Sequence, residues 1–149
     1  MRNLIKFGAL IAALTMTAGS LFAHVTVQPK QSKTGASEKY TIRVPTEKFI
    51  PTVRIEVEFP ANLAVSSFEP KPNWKIEEKK DSSGRVAGVT LSGSIPPGES
   101  LGFTFTARNP GDAGKLIFKA IQTYEDGTKV EWTGPEGSRT PAPFVALTR

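Results

Sequence analysis

The sequence predicts an all-β, antiparallel β-sandwich of immunoglobulin-like or cupredoxin-like outline, and three features carry this prediction. Apolar and polar residues alternate with a period of two in short runs that recur along the chain, as in half-buried strands. Proline, glycine, asparagine and aspartate fall between the runs, where strand pairing tolerates them. No stretch has the spacing of an amphipathic helix. Many short antiparallel strands in a chain of this length are typical of two packed sheets.

Nine segments have the strand pattern. In the clearest, residues 53–59, aliphatic and aromatic side chains share one face, and Arg54, Glu56 and Glu58 share the other. The predicted strands, in chain order, are 24–27, 38–44, 53–59, 64–68, 74–78, 86–92, 102–108, 115–124 and 129–132.

The connections carry recognisable turn chemistry. Residues 81–84 and 125–127 combine aspartate with a following glycine, which predicts two hairpin turns. The segment 134–143 is rich in glycine, proline and serine, and we expect it to be irregular. With no internal repeat and no linker, residues 24–149 are expected to form a single domain.

The first 23 residues have the composition of a secretory signal peptide. Arg2 and Lys6 supply a positive start, an apolar run follows, and small residues precede Ala23. The apolar run is shorter than the about 20 residues that span a bilayer, and no second such run is present. We therefore expect cleavage after Ala23 and a secreted, periplasmic or cell-surface protein without a membrane anchor in this chain. A competing cleavage after Ser20 would leave Leu21, Phe22 and Ala23 in front of His24.

His24 is the only histidine, and it immediately follows the expected cleavage site. Cleavage there would give one residue both a free α-amine and an imidazole, whose Nδ1 closes a chelate ring on a metal ion with the amine. The amine must be neutral to bind, and a terminal amine titrates near pH 7.7–8.0, so protons would compete with the metal. The alternative interpretation is an incidental side chain near a frayed terminus.

Composition limits which metals and partners are compatible with the chain. There is no cysteine, and Met1 and Met16 both lie in the expected signal peptide, so the processed chain has no sulfur ligand. Nitrogen and carboxylate oxygen suit Cu(II), whereas Cu(I) favours thiolate and thioether. The formal charge of +5 is spread without a basic run, which argues against a nucleic-acid-binding function.

Six segments, in this order and spacing, resemble the YcnI-like family of exported copper-binding proteins over essentially the whole processed chain. They are HVTVQP at 24–29, YTIRVPTEK at 40–48, EPKPNW at 69–74, IPPGE at 95–99, QTYEDG at 122–127 and EWTGP at 131–135.

The resemblance implies a β-sandwich with a Cu(II) site in which an N-terminal histidine supplies two nitrogens, a carboxylate completes the coordination and a tryptophan lies beside the metal. His24 and Trp132 match the histidine and the tryptophan, whereas Trp74 is expected to be a core or edge packing residue. The family often has a Gly-Glu-x-x-Glu-Phe stretch, and here Gly102 occupies the second acidic position. Glu99 is therefore the expected carboxylate. Two alternatives are Glu125 and Glu131.

These features predict an extracytoplasmic Cu(II)-binding protein for copper acquisition, delivery or homeostasis, such as a copper chaperone that exchanges its ion with a membrane copper transporter or another copper protein. It would not be an enzyme, since copper oxygenases that begin with a chelating histidine need a second histidine. The rival hypothesis is a metal-free extracellular sandwich that binds a protein partner, because this fold hosts many functions. Titration of the processed protein with metal separates the two.

Overall fold

The structure is a computed structural model that describes residues 23–149, so the signal peptide expected at 1–23 lies, apart from Ala23, outside the described residues. The regular elements of this part are all strands, and it contains no helix with the length and apolarity that a bilayer span requires. The strands are β1 (Thr26–Gln28), β2 (Gln31–Lys33), β3 (Ser37–Pro45), β4 (Thr52–Glu58), β5 (Ala64–Phe68), β6 (Lys75–Lys80), β7 (Val86–Ile95), β8 (Ser100–Arg108), β9 (Gly114–Ile117), β10 (Lys119–Tyr124), β11 (Lys129–Trp132) and β12 (Phe144–Thr148).

The strands form a four-stranded sheet in the order β1-β3-β8-β5, a five-stranded sheet in the order β11-β10-β4-β7-β6, and a three-stranded sheet in the order β2-β12-β9. Every strand pair is antiparallel except β2 with β12. The predicted all-β antiparallel sandwich is therefore confirmed.

The core lies between the inward faces of the sheets. On β4, Ile55 and Val57 are buried while Arg54 and Glu58 are exposed, as the alternation predicts. The largest fully buried side chains include three aromatic ones, Tyr40, Phe105 and Phe118. Because the chain has no cysteine, burial of this apolar surface is the main source of stability for the described sandwich.

Both predicted hairpin turns are present. Residues 81–84 connect β6 to its antiparallel neighbour β7, and residues 125–127 connect β10 to β11. Gly84 and Gly127 have φ of 83° and 84°, in the left-handed region that glycine adopts without steric cost.

The strand predicted over 115–124 is in fact two strands in different sheets. β9 pairs with β12, whereas β10 pairs with β4 and β11, and the chain changes sheets at Phe118. The backbone N–H of Phe118 donates to the carbonyl of Pro143 at 2.9 Å. Leu116, Phe118 and Ala120 are all buried, so the period-two pattern continues through the break and conceals it.

Three further differences concern short or terminal elements. β2 and β12 were not predicted, and β2 is a polar three-residue strand without a distinct apolar pattern. β1 begins at Thr26 and not at residue 24, which leaves His24 outside the β1–β3 ladder. The segment 134–143 is largely irregular, as expected, apart from an isolated bridge between Gly134 and Pro141.

Candidate metal centre

The structure brings His24 and Trp132 together. Their ring centroids are 5.7 Å apart, with the ring planes inclined at 54°. The next residues hold the start of the chain in place, because Val25 and Val27 are buried in the core and Thr26 pairs with Arg43 of β3. His24 itself is exposed, so its imidazole lies at the surface beside an anchored segment.

Trp132 ends β11 and is only 5% exposed. Its indole Nε1 donates a hydrogen bond of 3.0 Å to Oε1 of Gln122 on the neighbouring strand. The indole N–H is thus satisfied inside the core and is not available to His24. Trp132 is therefore a core residue that also contacts the surface histidine. Sequence patterns alone would treat a packing role and a role beside the site as alternatives, but Trp132 combines them.

A carboxylate outside the predicted set lies at the same place. The backbone N–H of Ala23 donates to Oε1 of Glu47, in the loop between β3 and β4. Ala23 directly precedes His24, so this carboxylate lies one residue from the nitrogen that cleavage would convert into the α-amine. Glu47 belongs to the YTIRVPTEK segment, but an exposed loop glutamate has no pattern that marks it as a ligand.

The base of the Glu47 loop is tightly held. Thr46 is 2% exposed, its N–H donates to the carbonyl of Glu99 at 2.8 Å, and its carbonyl accepts from Gly98 at 2.9 Å. The hydroxyl of Thr46 donates to that of Thr52 at 2.8 Å. These bonds fix the backbone immediately before Glu47.

Tyr124 packs against the same loop. Its pKa is raised by burial and further by the negative charge of Glu47, while a hydrogen bond with the Glu47 backbone acts in the opposite direction. The Nζ of Lys48 lies 4.5 Å from the centroid of the Tyr124 ring and donates to the Thr128 hydroxyl at 2.8 Å. The loop is thereby tied to the β10–β11 hairpin that carries Trp132.

The three carboxylates expected from the sequence all belong to exposed residues. Glu99 is bound to Thr46 through its backbone carbonyl, and its side chain is exposed. Glu131 precedes Trp132 on β11, so its side chain points to the opposite face of the sheet. Glu125 lies in the β10–β11 turn and donates its N–H to Pro51 at 2.9 Å. Within residues 23–149, no hydrogen bond or ion pair joins these carboxylates to His24, and their assignment as ligands stays a prediction.

The donor chemistry at this position fits Cu(II). His24 offers an imidazole, and it would also offer an amine if the bond to Ala23 were cut. Glu47 offers a carboxylate oxygen, and nitrogen and oxygen donors suit oxidised copper. No group of three or more histidine, cysteine, aspartate or glutamate side chains arranged for a metal occurs in the described part of the chain. A histidine chelate does not need such a group, because one residue supplies two donors.

Solvent reaches His24 through a cavity that neither Glu47 nor Trp132 lines. An open cavity of about 400 Å³ is lined by His24, Thr26 and Lys30 together with residues of the irregular segment around Glu136 and Ser138. An ion could therefore enter or leave without unfolding of the sandwich.

The fold and site define an immunoglobulin-like β-sandwich that presents a single histidine beside a buried tryptophan at the start of the domain. Residues 24–147 match the family described as "Domain of unknown function (DUF1775)". The chain belongs to this YcnI-like family, which confirms the resemblance seen in the sequence. It is 37% identical to the copper-binding protein CutI of Bacillus subtilis (strain 168) over 142 residues, which cover 94% of this chain and 70% of that protein.

Solved structures agree with the architecture. An uncharacterized protein from Nocardia farcinica with an immunoglobulin-like fold superposes with a TM-score of 0.77 at 27% identity, over 85% of this chain and 99% of that one. The sixth cohesin of scaffoldin B from Acetivibrio cellulolyticus gives a TM-score of 0.55 at 12% identity, over 84% of this chain and 98% of that one. The cohesin likeness concerns the fold alone.

Proposed function

We propose that this protein, after removal of residues 1–23, binds one Cu(II) ion at His24 outside the cytoplasm and acts as a copper-binding protein without enzymatic activity. The observation that carries the proposal is the position of the Glu47 carboxylate, which accepts from the backbone N–H of Ala23, the residue that processing would remove, while Trp132 flanks the imidazole of His24. Three separate parts of the chain thus converge on its expected processed terminus.

The proposed ligands are the amine and Nδ1 of His24 and a carboxylate oxygen of Glu47. Glu47 replaces Glu99 as our preferred carboxylate because it alone, among the glutamates considered, contacts the residue next to His24. Trp132 would shield one side of the ion from water with its ring. The copper-binding name of the Bacillus subtilis relative supports the choice of metal.

The proposed role is capture or delivery of copper in exchange with a membrane transporter or another copper protein. The open cavity beside His24 supports such exchange, since a partner could approach the ion directly. A catalytic role is disfavoured by ligand count, because the sequence contains one histidine and a copper oxygenase site of this kind needs two.

The direct test compares two N-termini. Exported protein whose intact mass shows a His24 start is titrated with Cu(II) against a competing chelator, beside a variant that retains one methionine before His24. The extra residue converts the amine into an amide, so we expect one bound ion in the first protein and an affinity at least about tenfold weaker, or about 1.4 kcal/mol, in the second. Equal affinity of the two proteins would exclude the chelate.

A His24→Ala variant with the same processed start is the matched control. It keeps a free amine but removes the imidazole, and it should bind no better than the extended variant. Retention of tight binding by His24→Ala would place the copper site elsewhere on the protein.

A further inference from the structure

Gln122 is a fully buried polar side chain in the apolar core, 0% exposed, on the strand between β11 and β4. It makes three hydrogen bonds: Oε1 accepts from Trp132 Nε1 at 3.0 Å, and Nε2 donates to the Pro45 carbonyl and to the Thr52 hydroxyl, each at 2.7 Å. We infer that Gln122 is the positioning residue of the metal centre, which holds Trp132 and the Glu47 loop in a fixed relation around His24. This inference rests on the proposed function.

The orientation of the Gln122 amide is determined by its partners. An indole N–H only donates and a backbone carbonyl only accepts, so the amide oxygen must face Trp132 and the amide nitrogen must face Pro45. A flipped amide would break both bonds inside the core, where an unpaired polar group is costly. The side chain therefore has a single satisfied arrangement.

One end of Gln122 sets the position of the indole. Trp132 contacts Gln122 through its N–H and lies with its ring 5.7 Å from that of His24. If the hydrogen bond were lost, the indole would retain its apolar burial but would lose the directional contact of its N–H, because the hydrophobic effect itself is non-directional.

The other end holds the base of the Glu47 loop. Pro45 is the last residue of β3 and Thr52 is the first of β4, so the two partners of Nε2 bracket the connection that contains Glu47. The Thr52 hydroxyl also accepts from Thr46, the neighbour of Glu47. A continuous path of contacts thus runs from the ring of His24 through Gln122 to Thr46, the residue that precedes Glu47.

A purely structural role would have a different signature, and the chain offers a matched control. Asn109 is 4% exposed and also makes three hydrogen bonds, one accepted from Tyr40 and two donated to Ser32 and Lys33. It lies near the opposite end of β3 from the metal centre, about 25 Å away at about 3.3 Å per residue. Loss of either amide should loosen the fold, but only loss of Gln122 should alter the centre.

The experiment compares processed wild-type protein with Gln122→Met and Asn109→Leu, each of which replaces an amide with an apolar side chain of similar size. Both variants should lower the urea midpoint. Only Gln122→Met should shift the NMR signals of the Trp132 indole N–H and the His24 ring without metal, weaken Cu(II) binding by at least tenfold, and change the EPR parameters. Unchanged signals and affinity in Gln122→Met would overturn the inference, as would an equal loss of affinity in Asn109→Leu.

If Gln122→Met fails to fold, Thr52→Val provides the test, since it removes one hydroxyl from the loop end at nearly constant shape. Displaced NMR signals of the Trp132 indole N–H and the His24 ring in Thr52→Val would support the positioning role. A wild-type spectrum together with wild-type affinity would overturn the inference. The metal-free spectra separate this inference from the proposed function: a wild-type protein that binds no copper refutes the function, while displaced His24 and Trp132 signals in the variant still support positioning.

Discussion

The imidazole of His24 and the indole of Trp132 lie 5.7 Å apart, although one precedes the first strand and the other ends β11. The contact joins an exposed side chain to a buried one, so the buried ring of Trp132 lies beside a solvent-accessible imidazole. If His24 binds the metal as proposed, Trp132 is close enough to report whether the site is occupied.

The first prediction concerns the carboxylate. Glu47→Gln removes an anionic oxygen donor at nearly constant volume and should weaken Cu(II) binding at least about tenfold, or about 1.4 kcal/mol, with no change in the unfolding midpoint. Glu99→Gln is the matched control, because Glu99 lies across from Thr46 but has an exposed side chain. Competition titrations measure both. Weakened binding in Glu99→Gln with normal binding in Glu47→Gln would restore the assignment made from the sequence.

The second prediction concerns tryptophan fluorescence. Cu(II) should quench the emission of Trp132, since a nearby paramagnetic ion quenches an excited indole, and Trp132→Phe should remove most of that response. Trp74→Phe is the control: Trp74 packs on Phe103 with ring centroids 4.8 Å apart and makes no ring contact with His24 in the described structure. Quenching that persists in Trp132→Phe and disappears in Trp74→Phe would place the ion near the other tryptophan.

The third prediction concerns the oxidation state. The processed protein has neither cysteine nor methionine, so it should retain little Cu(I) against a chromogenic Cu(I) chelator under reducing conditions. The same preparation should bind Cu(II) after reoxidation, which serves as the control for an intact site. Tight retention of Cu(I) would contradict the argument from ligand softness.

The fourth prediction concerns acid stability and the β6–β7 turn. The hydrogen bond from the Ser83 hydroxyl, with further bonds from the Ser83 and Arg85 backbone and the Arg85 side chain, lowers the pKa of Asp81 from 3.8 to about 2. A carboxyl with a lowered folded-state pKa contributes stability above pH 3.8, and this contribution is lost as the pH falls toward 2.

Urea unfolding between pH 2 and 7 tests whether the stability contributed by Asp81 decreases as the pH falls. Asp81→Asn should be less stable than wild type at pH 7, and the difference should shrink as the pH falls below 4. Asp112→Asn is a control at an exposed loop position. A difference between Asp81→Asn and wild type that stays constant down to pH 2 would mean that the charge of Asp81 does not stabilise the turn.

Local patterns in the sequence were sufficient for much of the fold. The alternation of β4 and the aspartate–glycine turns at 81–84 and 125–127 depend on neighbouring residues, and the structure contains all of them. The change from one sheet to another at Phe118 could not be predicted from the sequence, because the buried positions keep the same period on both sides of it. β12 was also missed, although its segment FVALT has a local apolar pattern; only its pairing with β2 and β9 depends on distant partners.

The same distinction between local sequence patterns and tertiary contacts applies to the candidate site. The sequence by itself identified His24 as the one imidazole and excluded cysteine ligands, because these are facts of composition, and the resemblance to a family pointed to Trp132. Only the tertiary structure decided that Glu47 contacts the residue before His24 and that Gln122 connects Trp132 to Pro45. Such contacts join segments far apart in the chain, and no local periodicity encodes them, since they arise from the way the strand ends meet when the sheets pack.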